Sequence, residues 1–126
     1  MNFEYYGVVL DEESHNLLLE KTSHLNNDGW KVFAHHMTIT HRADRDIPLQ
    51  EWAEKHLGEV FTLKAVRVGI SEKALAIEVE SDVPSSKAIK HVTIATSRDG
   101  KPVESNYIKK WFDVEPFNLK GVITRI

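Results

Sequence analysis

Apolar side chains recur at every second position over most of this chain, and helical spacing is confined to short stretches. Phe3 to Leu10 is rich in aromatic and β-branched residues and predicts a strand, with Gly7 marking a bulge or a close approach. Asp11 predicts an N-cap for a helix from about Glu12 to Leu25, with Leu17, Leu18 and Leu25 on its apolar stripe. Asn26-Asn27-Asp28-Gly29 is turn chemistry, and Trp30 to Thr40 predicts a second strand. Pro48 opens a short helix, Leu49 to Leu57, that Gly58 ends. Glu59 to Ile70 and Lys73 to Glu80 predict a hairpin, with a bulge near Ala65–Arg67 where the apolar set changes phase. A loop, Ser81 to Ser86, leads to a strand over Ala88 to Thr96. A turn at Arg98 to Pro102, a short helix at Glu104 to Phe112 closed by Pro116, and a strand over Phe117 to Ile126 complete the chain.

Two of these strands carry the same four-residue pattern. His36-Met37-Thr38-Ile39 and His91-Val92-Thr93-Ile94 both read His, apolar, Thr, apolar. Residues two apart on a strand share a face, so each copy presents a His beside a Thr while its apolar pair faces a core. Continued alternation puts Thr40 in the same row as His36 and Thr38, and His35 on the apolar face with Met37 and Ile39. Two imidazoles flanked by two hydroxyls suit acid–base chemistry on a phosphate: one ring takes a proton from water, the other gives one to the leaving oxygen. Thr38 and Thr93 would hold the non-bridging oxygens. Arg42 either reaches toward the phosphate or belongs to a solvated loop with Asp44, Arg45 and Asp46. Tyr6, with Tyr5, Trp30 and Trp111, is a candidate for stacking on a base, or a core aromatic. His15, His24 and His56 read as residues of helix surfaces.

The paired stretches HHMTIT and KHVTIAT resemble the signature of the 2H (two-histidine) phosphoesterase superfamily. More loosely, HHMTITHR and KPVESNYIKKW are similar to the cyclic-phosphodiesterase domain of fungal tRNA ligases and its stand-alone viral relatives. The resemblance implies an α+β, bilobal fold in which two antiparallel sheets flank a central cleft with helices outside. It also implies metal-independent opening of 2′,3′-cyclic phosphates on RNA ends, of 2′–5′ linkages, or of cyclic nucleotide signals. His36 and His91 would be catalytic, with His91 as base and His36 as acid, leaving a 2′-phosphate. No cofactor is implied. The substrate would be a small nucleotide, an oligonucleotide or an RNA end.

Composition narrows the setting. The 126 residues suit one domain over 1–126. A net charge of −3 argues against a general nucleic-acid surface and for a nucleotide or RNA end held locally. With no cysteine, disulfides and Cys-based zinc sites are excluded. No run is long and apolar enough for a membrane span, and Met1 to Tyr6 lacks the pattern of a leader. A cytoplasmic location is therefore expected, and the small size together with the resemblance suggests a viral enzyme in a host cytoplasm. No obligate protein partner is inferred. Three rival readings stand beside this one, an unrelated structural domain among them. His35, His36, His41 and His91 could be recruited by a metal hydrolase, although no H-E-x-x-H pattern supports it. Alternatively, the cleft could bind an RNA end or nucleotide without turnover.

Overall fold

Which strands pair decides this architecture. The computed structural model describes residues 3–126; Met1 and Asn2, which begin the stretch read as leaderless, lie outside them. The elements run β1 (Tyr5–Leu10), α1 (Glu12–Thr22), β2 (Lys31–Val32), β3 (His36–His41), α2 (Ile47–Lys55), β4 (Val60–Ile70), β5 (Ala74–Glu80), β6 (His91–Thr96) and β7 (Lys110–Arg125). Asp11 caps α1 by accepting from the Ser14 N–H at 2.7 Å, and Asp46 caps α2 by accepting from Leu49 at 3.2 Å. Gly58 leaves α2 at φ +84°, a conformation that costs glycine little. No helix among the described residues is long and apolar enough to cross a membrane.

One expected element changes type, and one expected breaker lies inside a strand. Glu104 to Phe112 is not an α-helix: a 3₁₀ helix, Pro102–Tyr107, is followed by β7, which begins at Lys110. Pro116 does not close a segment but lies inside β7. There the register jumps from Ala65↔Phe117 to Arg67↔Asp113, so Val114, Glu115 and Pro116 bulge away from the ladder. A proline is tolerated at such a point because no ladder N–H is required of it.

The fold is α+β with an entirely antiparallel sheet. Its strand order is β2-β6-β3-β1-β7-β4-β5, and β5 also pairs with β6, so six strands close into a barrel with β2 as an appendage. Two separate sheets flanking a cleft were expected. Instead β4 and β7 are zipped together from Val60↔Val122 to Ile70↔Lys110, which joins the halves into one sheet. The halves still correspond: β3-β1-β7 on one side is arranged as β6-β5-β4 on the other. One seam between them, β4–β7, is long. The other, β3–β6, has the single register pair Met37↔Val92.

Both motif strands are bulged at the same place. Gly7 pairs with Thr38 and Tyr6 with Thr40, so Ile39 is an extra residue in β3. Ala76 pairs with Thr93 and Leu75 with Ala95, so Ile94 is an extra residue in β6. A bulge resets the alternation that follows it. Ile39 and Thr40, like Ile94 and Ala95, are therefore buried in succession, all at 0% exposure. The carbonyls at these bulges are satisfied by the segment leading into the opposite motif strand. Phe33 and Ala34 donate their N–H groups to Ile94 and Thr93 at 2.8 and 2.9 Å. Ser86 N–H and the Ser85 hydroxyl donate to Ile39 and Thr38, each at 2.8 Å. Each half thus clasps the other's bulge.

The clasp explains why Trp30 to Thr40 is not one strand. Ala34 adopts φ +49°, and the chain turns between β2 and β3. Helix α1 holds that turn: His15 Nδ1–H donates to the Ala34 carbonyl at 2.8 Å, so His15 is half-buried rather than free on the surface. The same helix fixes β7, because Ser14 Oγ accepts from the Lys120 N–H at 2.8 Å and Leu18 is fully buried.

Closure of the barrel leaves no room at Gly121, where an added Cβ would lie 2.7 Å from the Val9 carbonyl oxygen and 2.6 Å from Val8 Cγ1. Because backbone cannot step aside as a side-chain tip can, Gly121→Ala is expected to lower the unfolding free energy by about 1–3 kcal/mol. Urea titration checks this, with an unchanged midpoint as the contrary result.

Candidate active site

The first residue of each motif strand brings a histidine to one cavity of about 460 Å³. That volume falls in the range of small-molecule sites. Met37, Ile39, Val92 and Ile94 are fully buried on the core side, while His36, Thr38, His91 and Thr93 are half-buried and line the cavity. The strands run antiparallel through Met37↔Val92, so His36 lies across from Thr93, and Thr38 across from His91. The two imidazoles therefore occupy one diagonal of a four-cornered site. In a regular ladder that diagonal spans roughly 7–8 Å, enough for a tetrahedral group between the rings. Gly7, paired with Thr38, makes room: an added Cβ would lie 2.9 Å from Ile126 Cδ1 and 3.4 Å from His36 Cδ2.

The two histidines are held differently. His91 Nδ1–H donates to the Ile89 carbonyl at 2.7 Å, which leaves Nε2 as the atom offered to a ligand. Burial lowers its pKa, the Ile89 bond opposes that, and the charge of Lys87 lowers it further. His36 Nδ1 meets His35 Nδ1 at 2.9 Å, a contact that needs one proton between the two nitrogens. Burial, followed by the like charges of His35, His91 and His41, lowers the pKa of His36 to about 4. Thr93 Oγ1 is 2.8 Å from the Ser105 hydroxyl, itself buried; Ser105 donating to Thr93 would free the threonine proton for a ligand oxygen.

The other residues singled out in the sequence separate into those the cavity takes and those it does not. Thr40 does not join the polar row: the bulge at Ile39 turns it inward opposite Tyr6, at 0% exposure. Tyr6 is also in the core, 5% exposed, with its hydroxyl donating to Glu54. Its neighbour Tyr5 lines the cavity instead, 5.1 Å from the His36 ring and 5.0 Å from His41 between ring centres. Arg42 is exposed and outside the cavity lining, donating to the Phe3 carbonyl at 3.1 Å with its guanidinium 4.6 Å from the centre of the Phe3 ring. His35 is exposed and lines the cavity, contrary to its expected place on the core face, because the left-handed turn at Ala34 breaks the alternation.

Sequence reasoning missed Lys87 and Asn106, and it named His41 only as a metal ligand. All three line the cavity. His41 is there because the same bulge that buries Thr40 turns the next residue outward. Lys90, adjacent to the motif, was the more visible lysine, but its Nζ donates to Ser81 O at 2.9 Å. Four of the seven histidines, His35, His36, His41 and His91, thus line one cavity. Among the described residues, no three His, Cys, Asp or Glu side chains are grouped so as to hold a metal ion.

No protein-family model matches the chain, and no curated protein matches its sequence. Among solved structures, the fold is similar to the crystal structure of a fungal RNA kinase, with a TM-score of 0.71 at 16% identity. The match covers 99% of this chain and 46% of that one, so the chain spans less than half the length of the structure it resembles. The class so defined is one of fold, α+β and built on a closed antiparallel barrel, similar to part of that fungal RNA kinase structure.

The depressed His36 pKa makes stability depend on acid. The unfolded histidine binds a proton near pH 6.5 and the folded one only near pH 4, so between these values the unfolded chain holds more protons. Stability is fully present above pH 6.5 and is lost as pH falls toward 4, by up to about 3 kcal/mol from this group. Replacing His36 by Gln is expected to flatten that part of the pH–stability curve. Chemical denaturation at pH 7, 5.5 and 4.5 checks it, and curves of equal slope for both proteins would refute it.

Proposed function

We propose that this chain is a metal-independent phosphodiesterase that acts, by paired-histidine acid–base catalysis, on a cyclic or 2′-linked phosphodiester of an RNA end or a nucleotide signal. The observation that carries the reading is the diagonal placement of His36 and His91, each beside a threonine, around one cavity. The 2H-type signature of the two stretches and the fold shared with part of an RNA kinase structure support it. Kinase chemistry is not part of the reading, because these 126 residues contain no G-x-x-x-x-G-K-[ST] phosphate loop.

On a 2′,3′-cyclic phosphate the step balances as follows. His91 Nε2 takes a proton from water as the water oxygen bonds to phosphorus. The opposite ribose oxygen–phosphorus bond breaks, and His36 supplies the proton that the departing oxygen needs. Thr38 and Thr93 donate to the non-bridging oxygens, where charge accumulates, and Lys87 offsets the phosphate charge. The assignment of roles follows the anchoring. His91 is fixed through Nδ1–H with its other nitrogen free to accept. His36, with a pKa lowered to about 4, is the stronger acid once protonated. In the protonated state its Nδ1–H donates to a neutral His35, which makes His35 a positioning residue for the acid.

His36→Ala and His91→Ala are each expected to lower kcat by at least about 10²-fold on RNA ending in a 2′,3′-cyclic phosphate, 2′–5′ oligoadenylate or a cyclic dinucleotide, assayed in excess EDTA. Thr38→Val and Thr93→Val should lower kcat by about 10–10²-fold with smaller changes in KM. Activity abolished by EDTA and restored by a divalent metal would replace this reading with a metal hydrolase. Binding without turnover on the whole panel would leave a binding module.

The pH dependence is a separate test. Free-enzyme kcat/KM requires His36 protonated and His91 neutral, and both pKa values lie below 6.5. The maximum should therefore lie between about 4 and 6.5, with kcat/KM falling as pH rises through neutrality. The limbs of kcat should sit at higher pH, because a bound phosphate favours the protonated ring. A kcat/KM maximum above pH 7 would contradict the assignment.

A further inference from the structure

Three of the six large apolar side chains that stand exposed among the described residues, Val103, Tyr107 and Phe112, lie on or just after the 3₁₀ helix Pro102–Tyr107. Tyr107 is 70% exposed and Phe112 54%. The helix stands between two cavities. Val103 and Asn106 line the histidine cavity, and the next residue, Tyr107, lines a second one of about 630 Å³ with Ile70, Lys109, Lys110 and Phe112. Glu72 is the only acid on that lining.

This surface is braced from behind. Trp111, between Lys110 and Phe112, packs flat on Gly69, where an added Cβ would lie 2.6 Å from the indole. Its Nε1–H donates to the Ile108 carbonyl at 3.2 Å, and Ile108 is buried. Thr93 reaches the same 3₁₀ helix through Ser105, so one rigid piece carries part of the catalytic cavity and the edge of the second.

Resting on the phosphodiesterase reading above, we propose that the second cavity is a binding platform for the nucleotides on the 5′ side of the scissile phosphodiester, so that the substrate is a single-stranded oligonucleotide rather than a mononucleotide. The chemistry on the page favours this occupant. Two exposed aromatic rings offer sequence-tolerant stacking faces for bases, and two adjacent ammonium groups match the backbone phosphates. This local excess of positive charge stands out on a chain of net charge −3. Consecutive residues of the 3₁₀ helix, Asn106 and Tyr107, line the first and the second cavity in turn, so a strand leaving one has the other as its neighbour.

The experiment compares a nucleoside 2′,3′-cyclic monophosphate with a hexanucleotide ending in the same group, using the full chain and the variants Tyr107→Ala/Phe112→Ala and Lys109→Glu/Lys110→Glu. None of the four residues lines the histidine cavity, and all four are exposed, so folding and basal chemistry are expected to persist. The wild type should prefer the hexanucleotide in kcat/KM. Each double variant should raise its KM by roughly 10-fold or more, while leaving the mononucleotide's kcat/KM unchanged.

A second arm reads binding alone: fluorescence anisotropy of a labelled, uncleavable 2′-deoxy hexanucleotide. The lysine variant should weaken binding and reduce the slope of log affinity against log salt by roughly 1.4, the value for two single-strand phosphate contacts. If no substrate turns over but binding depends on the platform, the phosphodiesterase reading fails and the platform stands. Equal kcat/KM for both wild-type substrates, or equal losses on both in the variants, would overturn the platform. So would self-association that Tyr107→Ala/Phe112→Ala abolishes, which would assign the surface to a second copy of the chain.

Discussion

The candidate site depends on a single register pair, Met37↔Val92, at the short seam of a barrel whose opposite seam is zipped along its length. Long pairing of β3 with β6 would draw their ladders together along the whole seam. Without any pairing, the two histidine rows would have no common register. One pair, reinforced on either side by backbone bonds from the entering segments, holds the strands in place while leaving open the face that carries His36, Thr38, His91 and Thr93. The carbonyls released by the bulges do not go unpaired, so the opening carries little of the penalty expected for buried polar groups.

The repeated bulge contributes to both stability and chemistry. Placing Ile39 and Ile94 as extra residues buries two successive side chains in each strand and strengthens the core directly beneath the site. In β3 it also exchanges Thr40 for His41 at the cavity wall. Burial, and after it the resulting crowd of imidazoles, keeps His36 neutral near pH 7, because desolvation penalises its charged form and each neighbouring proton opposes its own. In the proposed reaction an anionic phosphate at the centre would reverse that balance. Under that proposal, charge compensation by the ligand would be part of what makes His36 competent as the acid.

Histidine chemistry and fold support each other here without establishing each other. The shared barrel covers 46% of a fungal RNA kinase structure at 16% identity, which fixes the architecture and leaves the chemistry to the side chains of the cavity. Those side chains include four histidines, two of them on a diagonal, with two threonines, a lysine and a tyrosine. This set suits proton transfer around a phosphate better than simple retention of one, for which arginine and lysine contacts would be the economical choice.

From residue pattern alone, the chain determined most of its strands, the N-cap at Asp11, the bulge at Ala65–Arg67, and the placing of His36 beside Thr38 and of His91 beside Thr93. These are local properties: alternation, capping chemistry and phase changes are written within a few residues. Only the tertiary structure decided that the strands close into one barrel, that Thr40 and Tyr6 turn inward, and that Tyr5, His35, His41 and Lys87 turn toward the site. The places of Thr40, His41 and His35 depend on the bulge at Ile39 or on the left-handed Ala34, each held by hydrogen bonds to a distant segment. A strict period-two reading has no term for a partner some fifty residues away, and one extra residue inverts every side chain beyond it.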